Sequence, residues 1–197
     1  MITVSVKSNL DAMLNSFIAS TRKQVLFATA KALTDTAKAV RLDIMAEMPK
    51  QIDKPTPYTL RGVGYRPANK QTLTAVVFLR DVQAVYLSKL IKGGTERPKA
   101  KAFFVPEGVR TDRYGNIPRN EMRKLRGRKD VFSAKVNGTP GLWQRTGSRG
   151  LRLLVRYDDE RQTKPTFDFY GIGRKSVTKH WPACWATAWA YAKATAK

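Results

Sequence analysis

The chain has 197 residues, 42% of them hydrophobic, a length that suits one domain over 1–197 with its own core. Its formal charge of +22 favours an acidic partner, either nucleic acid or an acidic protein surface, although the charge could serve solubility alone. A single cysteine excludes an intramolecular disulfide, and the absence of a long apolar run or a leader-like start predicts a cytoplasmic protein without a membrane span.

The N-terminal quarter predicts a strand and a long helix. Ile2–Lys7 alternates apolar and polar residues, which is typical of a short edge strand, and Asn9 is a suitable N-cap. Apolar residues then recur at three- and four-residue steps as far as Met48, so one helix is expected until Pro49 stops it. A helix of about 60 Å exceeds what a small domain covers. We therefore expect part of its apolar stripe to form a subunit interface, with these candidates: Leu33, Val40 and Ile44.

The middle of the chain predicts a loop, several strands and one short helix. Residues 49–67 lack periodicity and contain three prolines after Pro49, so they are predicted to be an extended loop. Helical spacing returns over 82–92 and ends at Gly93 and Gly94. Strands are predicted from β-branched and apolar composition at 72–80, 101–105, 141–145 and 151–157.

Residues 106–140 are rich in charge and turn formers, so we expect them to form a projecting arm or loop. Within this segment, 119–129 holds six basic residues and one acid. The cluster predicts either an arm that contacts DNA or an acidic protein, or a solvated loop. Its candidate contact residues are Arg119, Arg123, Lys124, Arg126, Arg128 and Lys129.

The C-terminal segment predicts a helix capped by Ser176 or Thr178. Its three tryptophans recur at steps of four and form one face, which favours burial against a sheet, with a subunit interface as the alternative. The predicted fold class is therefore α+β. A long N-terminal helix and a C-terminal helix are expected to pack on a small, mainly antiparallel sheet, with an extended basic arm.

Few residues suit catalysis. His180 is the only histidine, and although Cys184 would share its helix face, no glycine-rich elbow or oxyanion loop is present. Asp158, Asp159, Glu160 and Asp168 could hold magnesium for a nuclease, but Asp residues are also common in turns. The phosphate-loop-like stretch at 171–175 lacks the required spacing. We expect no enzyme, and no catalytic, metal or cofactor site.

Two segments alternate aromatic and charged residues. FFVPEGVR at 103–110 and FDFYGIGRK at 167–175 would suit the stacking of single-stranded bases. They lack the aromatic motifs that RNA-binding sheets carry.

The order of elements resembles that of a known family. The matching residues are Ala28–Val40 followed by Pro49, KAFFVP at Lys101–Pro106, Leu142–Arg145, and Trp181–Pro182 with the helix behind it. This pattern resembles the minor tail protein Z group of lambda-like phages and the wider tail-completion family of long-tailed phages.

That resemblance implies a structural virion protein without catalytic residues. It implies a homo-oligomeric, hexameric ring at the head-proximal end of the tail, which reaches the virion from the host cytoplasm. The implied partners are the tail terminator, the head–tail connector and DNA passing through the ring. Two alternatives stay open, namely a basic DNA-binding or packaging protein and a small metal-dependent nuclease.

Overall fold

The computed structural model describes residues 10–147 and 150–196. The predicted strand at Ile2–Lys7 and the cap at Asn9 lie outside them. The described residues confirm an α+β fold with a long N-terminal helix, a C-terminal helix and small antiparallel sheets. The helices are α1 (Leu10–Gln51), α2 (Pro57–Leu60), α3 (Asp81–Lys92), α4 (Glu121–Arg126) and α5 (Phe169–Ala194). The strands are β1 (Val63–Arg66), β2 (Val76–Leu79), β3 (Gly94–Glu96), β4 (Phe103–Pro106), β5 (Val131–Val136), β6 (Thr139–Thr146), β7 (Gly150–Asp158) and β8 (Arg161–Thr163).

The described chain forms two compact units. The first unit contains residues 10–47, 63–80 and 169–196, and the second contains 48–62 and 81–168. The chain passes between the units four times, so neither is a continuous stretch of sequence. A single domain over 1–197 stays a prediction.

The first unit is built on α1 and α5, which meet through alanines. Ala28 and Ala32 of α1 and Ala188 and Ala192 of α5 are all fully buried and cluster together. Side chains this small let two helices approach closely. Four larger rings pack around this contact: Phe27, Trp181, Trp185 and Trp189. The tryptophan stripe thus packs beside α1, which corrects the expectation that it packs on a sheet.

The end of α1 and the start of α5 both differ from the sequence prediction. Pro49 lies inside α1, which runs to Gln51, and the Ile52 amide still donates to the Met48 carbonyl at 2.9 Å. Pro49 removes one donor from the helix, but the bond from Ile52 continues the helical pattern beyond it, so the helix does not stop there. The helix α5 begins at Phe169, so the predicted caps Ser176 and Thr178 both lie within the helix.

The hairpin β1–β2 completes the first unit, pairing Val63 with Leu79. The Nε of Arg41 on α1 donates to the Val63 carbonyl at 3.0 Å, which ties the hairpin to the helix. Residues 49–67, predicted to be a loop, therefore contain α2 and β1. Thr56 caps α2 by accepting a 3.1 Å hydrogen bond from the Thr59 amide. Such short elements carry too few residues to show periodicity.

The second unit contains a four-stranded antiparallel sheet in the order β4-β7-β6-β5 and the smaller pair β3–β8. Asn137 and Gly138 join β5 to β6 with positive φ values of 48° and 82°, as a tight two-residue hairpin turn requires. The core lies on the sheet face that α4 covers. Its buried residues are Leu125, Val131, Leu142, Leu154 and Val155.

The predicted arm at 106–140 is folded onto this sheet. It contains the end of β4, α4 and β5, and Leu125 in α4 is only 5% exposed. Val109, Ile117 and Met122 pack against the same core. These apolar residues are widely spaced among charges, so local composition suggests a solvated arm although tertiary contacts bury one side of it.

Within residues 10–147 and 150–196, none of the helices combines the length and apolar composition that crossing a membrane requires.

Candidate functional site

The six basic residues predicted to contact a partner lie together on and around α4, and all six are exposed. We call them the basic cluster: Arg119, Arg123, Lys124, Arg126, Arg128 and Lys129. Leu125 points into the core, while Arg123, Lys124 and Arg126 remain in solvent. The helix α4 is therefore amphipathic, with one side packed on the core and its positive charges in solvent.

One member of the basic cluster is held by a carboxylate. Nη2 and Nε of Arg128 donate to the two carboxylate oxygens of Asp130 at 2.7 and 3.0 Å. Gln144 donates to the same carboxylate at 2.8 Å. The hydrogen bond from Arg128, followed by that from Gln144, lowers the pKa of Asp130 to about 2. Arg128 is thereby fixed at the end of the cluster.

Four other members of the cluster have no such partner. In the part of the chain that the structure describes, no carboxylate lies within 4.0 Å of the charged groups of Arg119, Arg123, Lys124 or Lys129. Uncompensated charges this close in sequence repel one another. The surface is therefore suited to an anionic partner.

Arg126 joins the basic cluster to an exposed aromatic ring. Its guanidinium lies 5.7 Å from the ring centroid of Phe104, which is on the edge strand β4 and is 46% exposed. The Phe104 ring lies 5.3 Å from that of Tyr157 on the neighbouring strand β7. The Tyr157 hydroxyl accepts a hydrogen bond from Ser133 at 3.2 Å. The ring of Phe104 is thus in contact with the ring of Tyr157 and with the guanidinium of Arg126.

A cleft of about 790 Å³ lies in the second unit, with Phe104 in its wall. Three further aromatic residues line it: Tyr86, Phe103 and Tyr114. Four cationic and three acidic residues also line it: Lys54, Lys89, Arg156, Arg161, Asp53, Glu96 and Asp158. Nε of Arg156 lies 3.0 Å from Oδ1 of Asp158, so this pair is mutually neutralised.

The candidate subunit-interface residues on α1 are placed differently from expectation. Val40 is 4% exposed and Ile44 is 1% exposed, so both belong to the core of their own chain, and Leu33 is half-buried. The burial of Val40 and Ile44 in their own chain corrects the assignment of these two residues to an inter-subunit surface, whereas that of Leu33 stays a prediction. Exposed apolar residues of α1 are Ile18 (60%) and Val25 (39%) nearer its N-terminus and Leu42 (59%) further along.

The only histidine stabilises the first unit. Nε2 of His180 lies 2.9 Å from Oδ2 of Asp43, and Ser176 donates to the same oxygen at 2.7 Å. The serine hydroxyl contacts the carboxylate and not the imidazole, so these groups do not form a nucleophile and its base. They join α5 to α1, and Cys184 one turn further along is half-buried.

The acidic residues considered for magnesium do not converge. Asp158 pairs with Arg156, Asp159 and Glu160 lie exposed between β7 and β8, and Asp168 is exposed just before α5. Among the described residues, no group of three or more His, Cys, Asp or Glu side chains could hold a metal ion. The stretch 171–175 is helical, as part of α5, so it does not form a phosphate-binding loop.

The described residues define an α+β protein whose second unit combines a basic surface with an aromatic-lined cleft. Comparisons with protein-family models, with curated proteins and with solved structures find no match for the chain. The functional assignment therefore depends on the chain's own residues. Sequence analysis located the basic cluster but missed Phe104 and the cleft as parts of one site. The one sequence feature that pointed to Phe104 was the mixture of aromatic and charged residues at 103–110.

Proposed function

We propose that the protein is a non-catalytic structural subunit of a tailed-phage particle, which assembles as a homo-oligomeric ring at the head-proximal end of the tail. The order of a long first helix, small antiparallel sheets and a closing helix agrees with the resemblance to tail-completion proteins. The observation that carries the proposal is the exposed apolar surface on the N-terminal half of α1.

This surface lies beyond the part of α1 that α5 covers. Ile18 and Val25 are seven residues apart, which is two helical turns, so they share one face. Leu26 lies beside them, and Thr21 and Arg22 lie in the same two turns of α1. From Ala28 onward, by contrast, the helix has buried residues on the side that packs on α5. An apolar stripe that continues out of a core into solvent is typical of a subunit contact.

A second copy of the chain is the occupant that the proposal requires. A ring of more than two copies forms when one surface of each subunit binds a different surface of the next, and the exposed apolar face of α1 supplies one of these two surfaces. Arg22, in the same two turns, places a charge beside this apolar face, as in protein interfaces with an apolar centre and a polar rim.

The test is the oligomeric state of an Ile18→Asp, Val25→Asp double variant. We expect wild-type protein to form a concentration-dependent oligomer by light scattering. The variant should remain a folded monomer, with an unchanged circular dichroism spectrum, and should fail to enter tails. Leu42→Asp is the matched control, because Leu42 is on the same helix and is 59% exposed. An oligomeric double variant, or a wild type that stays monomeric at all concentrations, would contradict the proposal.

The uncompensated basic cluster favours a second candidate role, contact with DNA. Phosphate contacts weaken steeply as the salt concentration rises, with a slope that follows the number of cations engaged. Changing Arg119, Arg123, Lys124 and Lys129 to Gln should therefore flatten the salt dependence of DNA binding. Normal tail incorporation with lost DNA binding would assign the cluster to the genome. The reverse outcome would assign it to a neighbouring virion protein.

A further inference from the structure

We infer that the cleft of the second unit, with Phe104 and the basic cluster beside it, binds a segment of single-stranded nucleic acid. This site goes beyond ring assembly, because it uses none of the residues on the exposed face of α1. It also differs from a general attraction to DNA, because it assigns a stacking position to one ring.

Phe104 provides the stacking position. Nearly half of its surface is in solvent although the ring is held by Tyr157 and flanked by Arg126. A phenylalanine this exposed on an edge strand contributes little to the stability of the fold. A nucleobase that stacks on its ring would be stabilised whatever the base is. Tyr114, which also lines the cleft, carries the guanidinium of Arg113 at 4.7 Å from its ring centroid. Aromatic rings next to arginines thus occur at two positions of the same site.

Cations both inside and outside the cleft are available to bind the phosphates of a nucleic acid. Since Arg156 and Asp158 neutralise each other, three cations face two acids within it: Lys54, Lys89 and Arg161 against Asp53 and Glu96. Outside, Arg126 leads from Phe104 to the basic cluster, where four cations have no described carboxylate partner. The cleft and the surface beside Phe104 therefore each hold an excess of positive charge.

The acidic and amide side chains of the cleft suit base edges. Carboxylates accept hydrogen bonds from the exocyclic amino groups of bases, and the amide of Asn116 both donates and accepts. A cleft of about 790 Å³ also lies within the size range of sites that enclose small ligands. It can therefore take nucleotides whose bases are free.

A duplex fits these features less well. Its base faces are already stacked on one another, so it can offer only its backbone to Phe104. An acidic protein would use the cations but would gain nothing from base stacking. Single-stranded nucleic acid is the partner that uses both the rings and the charges.

The experiment measures fluorescence anisotropy with a labelled single strand of mixed sequence, the duplex of the same sequence and length, and an oligo-glutamate peptide. We expect the single strand to bind most tightly. Phe104→Ala should weaken its binding about tenfold and leave duplex binding unchanged, since only the free bases stack. Phe104→Trp should restore single-strand binding. Tyr58→Ala is the aromatic control, because Tyr58 is in the same unit, is 55% exposed and does not line the cleft.

The cations are tested through salt dependence. Arg126→Gln should reduce the slope of log affinity against log salt by about 0.7, the value for one phosphate contact on a single strand. Lys135→Gln, an exposed cation on β5, is the matched control and should leave the slope unchanged. Phe104→Leu keeps an apolar side chain in place if the alanine variant proves unstable, and it should lose stacking in the same way.

Several outcomes would overturn the inference. These are equal affinity for the strand and the duplex, full affinity in Phe104→Leu, or tighter binding of oligo-glutamate than of the strand. Its failure can be separated from failure of ring assembly. The Ile18→Asp, Val25→Asp variant should keep single-strand binding although it does not assemble, and the Phe104 variants should assemble normally.

Discussion

Ser176 of α5 donates a hydrogen bond of 2.7 Å to the carboxylate of Asp43 on α1, joining two helices that are far apart in the sequence. His180 contacts the same oxygen at 2.9 Å. The pKa of Asp43 is lowered chiefly by the hydrogen bond from Ser176, against the opposing effect of burial, with His180 as a further cause. This carboxylate is thus stabilised in its ionised form by folding.

The first prediction concerns Ser176→Ala. Losing the hydroxyl removes the largest cause that lowers the Asp43 pKa, so this pKa should rise toward its usual value. A folded-state pKa below the unfolded one contributes stability above the unfolded pKa, and that stability is lost as the pH falls through the folded pKa. The variant should therefore lose less stability on acidification than the wild type. Carbon NMR titration of Asp43 measures the shift, with Thr178→Ala, an exposed position on the same helix, as the control.

The second prediction concerns Asp130, which Arg128 and Gln144 hold ionised down to a pKa of about 2. Its contribution to stability should be complete above pH 4 and should disappear as the pH falls toward 2, because only the folded state favours the carboxylate. Asp130→Asn should remove this part of the acid dependence. Thermal unfolding between pH 2 and 5 measures it. A variant with the same acid dependence as the wild type would show that the contact with Arg128 does not persist in solution.

The local sequence pattern correctly predicted the elements that bury one apolar face and the helix that ends at a glycine. The helical periodicity of α1, the glycine stop after α3 and the apolar composition of β7 all led to elements close to those observed. Elements that depend on tertiary contacts were missed. The three-residue strands β3 and β8 pair with each other across a long sequence separation, and α4 has only Met122 and Leu125 to indicate an inner face.

In the candidate site, too, the part that is continuous in sequence was predicted and the part made by tertiary contacts was not. The basic cluster is continuous in sequence, so composition located it. The contact of Arg126 with Phe104, and that of Phe104 with Tyr157, join residues from α4, β4 and β7. Sheet order decides these contacts, and sequence analysis left that order open. Val40 and Ile44 were misplaced because periodicity identifies an apolar face but not which turns of that face the same chain covers.

The third prediction tests the alanine contact between α1 and α5. Ala188 is fully buried, so Ala188→Leu has no space and should lower the free energy of unfolding by about 1–3 kcal/mol. Ala190→Leu introduces the same side chain at an exposed position two residues away and should have little effect. Chemical denaturation of both variants measures the difference. Equal stability would mean that the two helices do not pack through this face.

The fourth prediction follows from the burial of Val40. Burying a carboxylate at a position only 4% exposed carries a large desolvation cost, so Val40→Asp should destabilise the fold by about 4 kcal/mol or more. Leu42→Asp, on the same helix but exposed, should remain folded. Circular dichroism on heating separates them. A folded Val40→Asp variant that fails only in assembly would restore Val40 to the subunit interface.

The fifth prediction concerns Gly141 in β6, at the centre of the four-stranded sheet. A Cβ atom there would lie 2.5 Å from the Val155 carbonyl oxygen and 2.7 Å from Cδ1 of Leu153, both on β7. The leucine side chain can move, but the carbonyl belongs to the sheet backbone and cannot shift without straining the β6–β7 pairing. Gly141→Ala should therefore lower the free energy of unfolding by about 1–3 kcal/mol. Gly173→Ala is the control, because its Cβ would meet nothing within 4 Å and alanine favours the helix there by up to about 1 kcal/mol. Opposite signs for the two substitutions in chemical denaturation are expected, and a Gly141→Ala variant as stable as the wild type would contradict the register in which β6 and β7 pair.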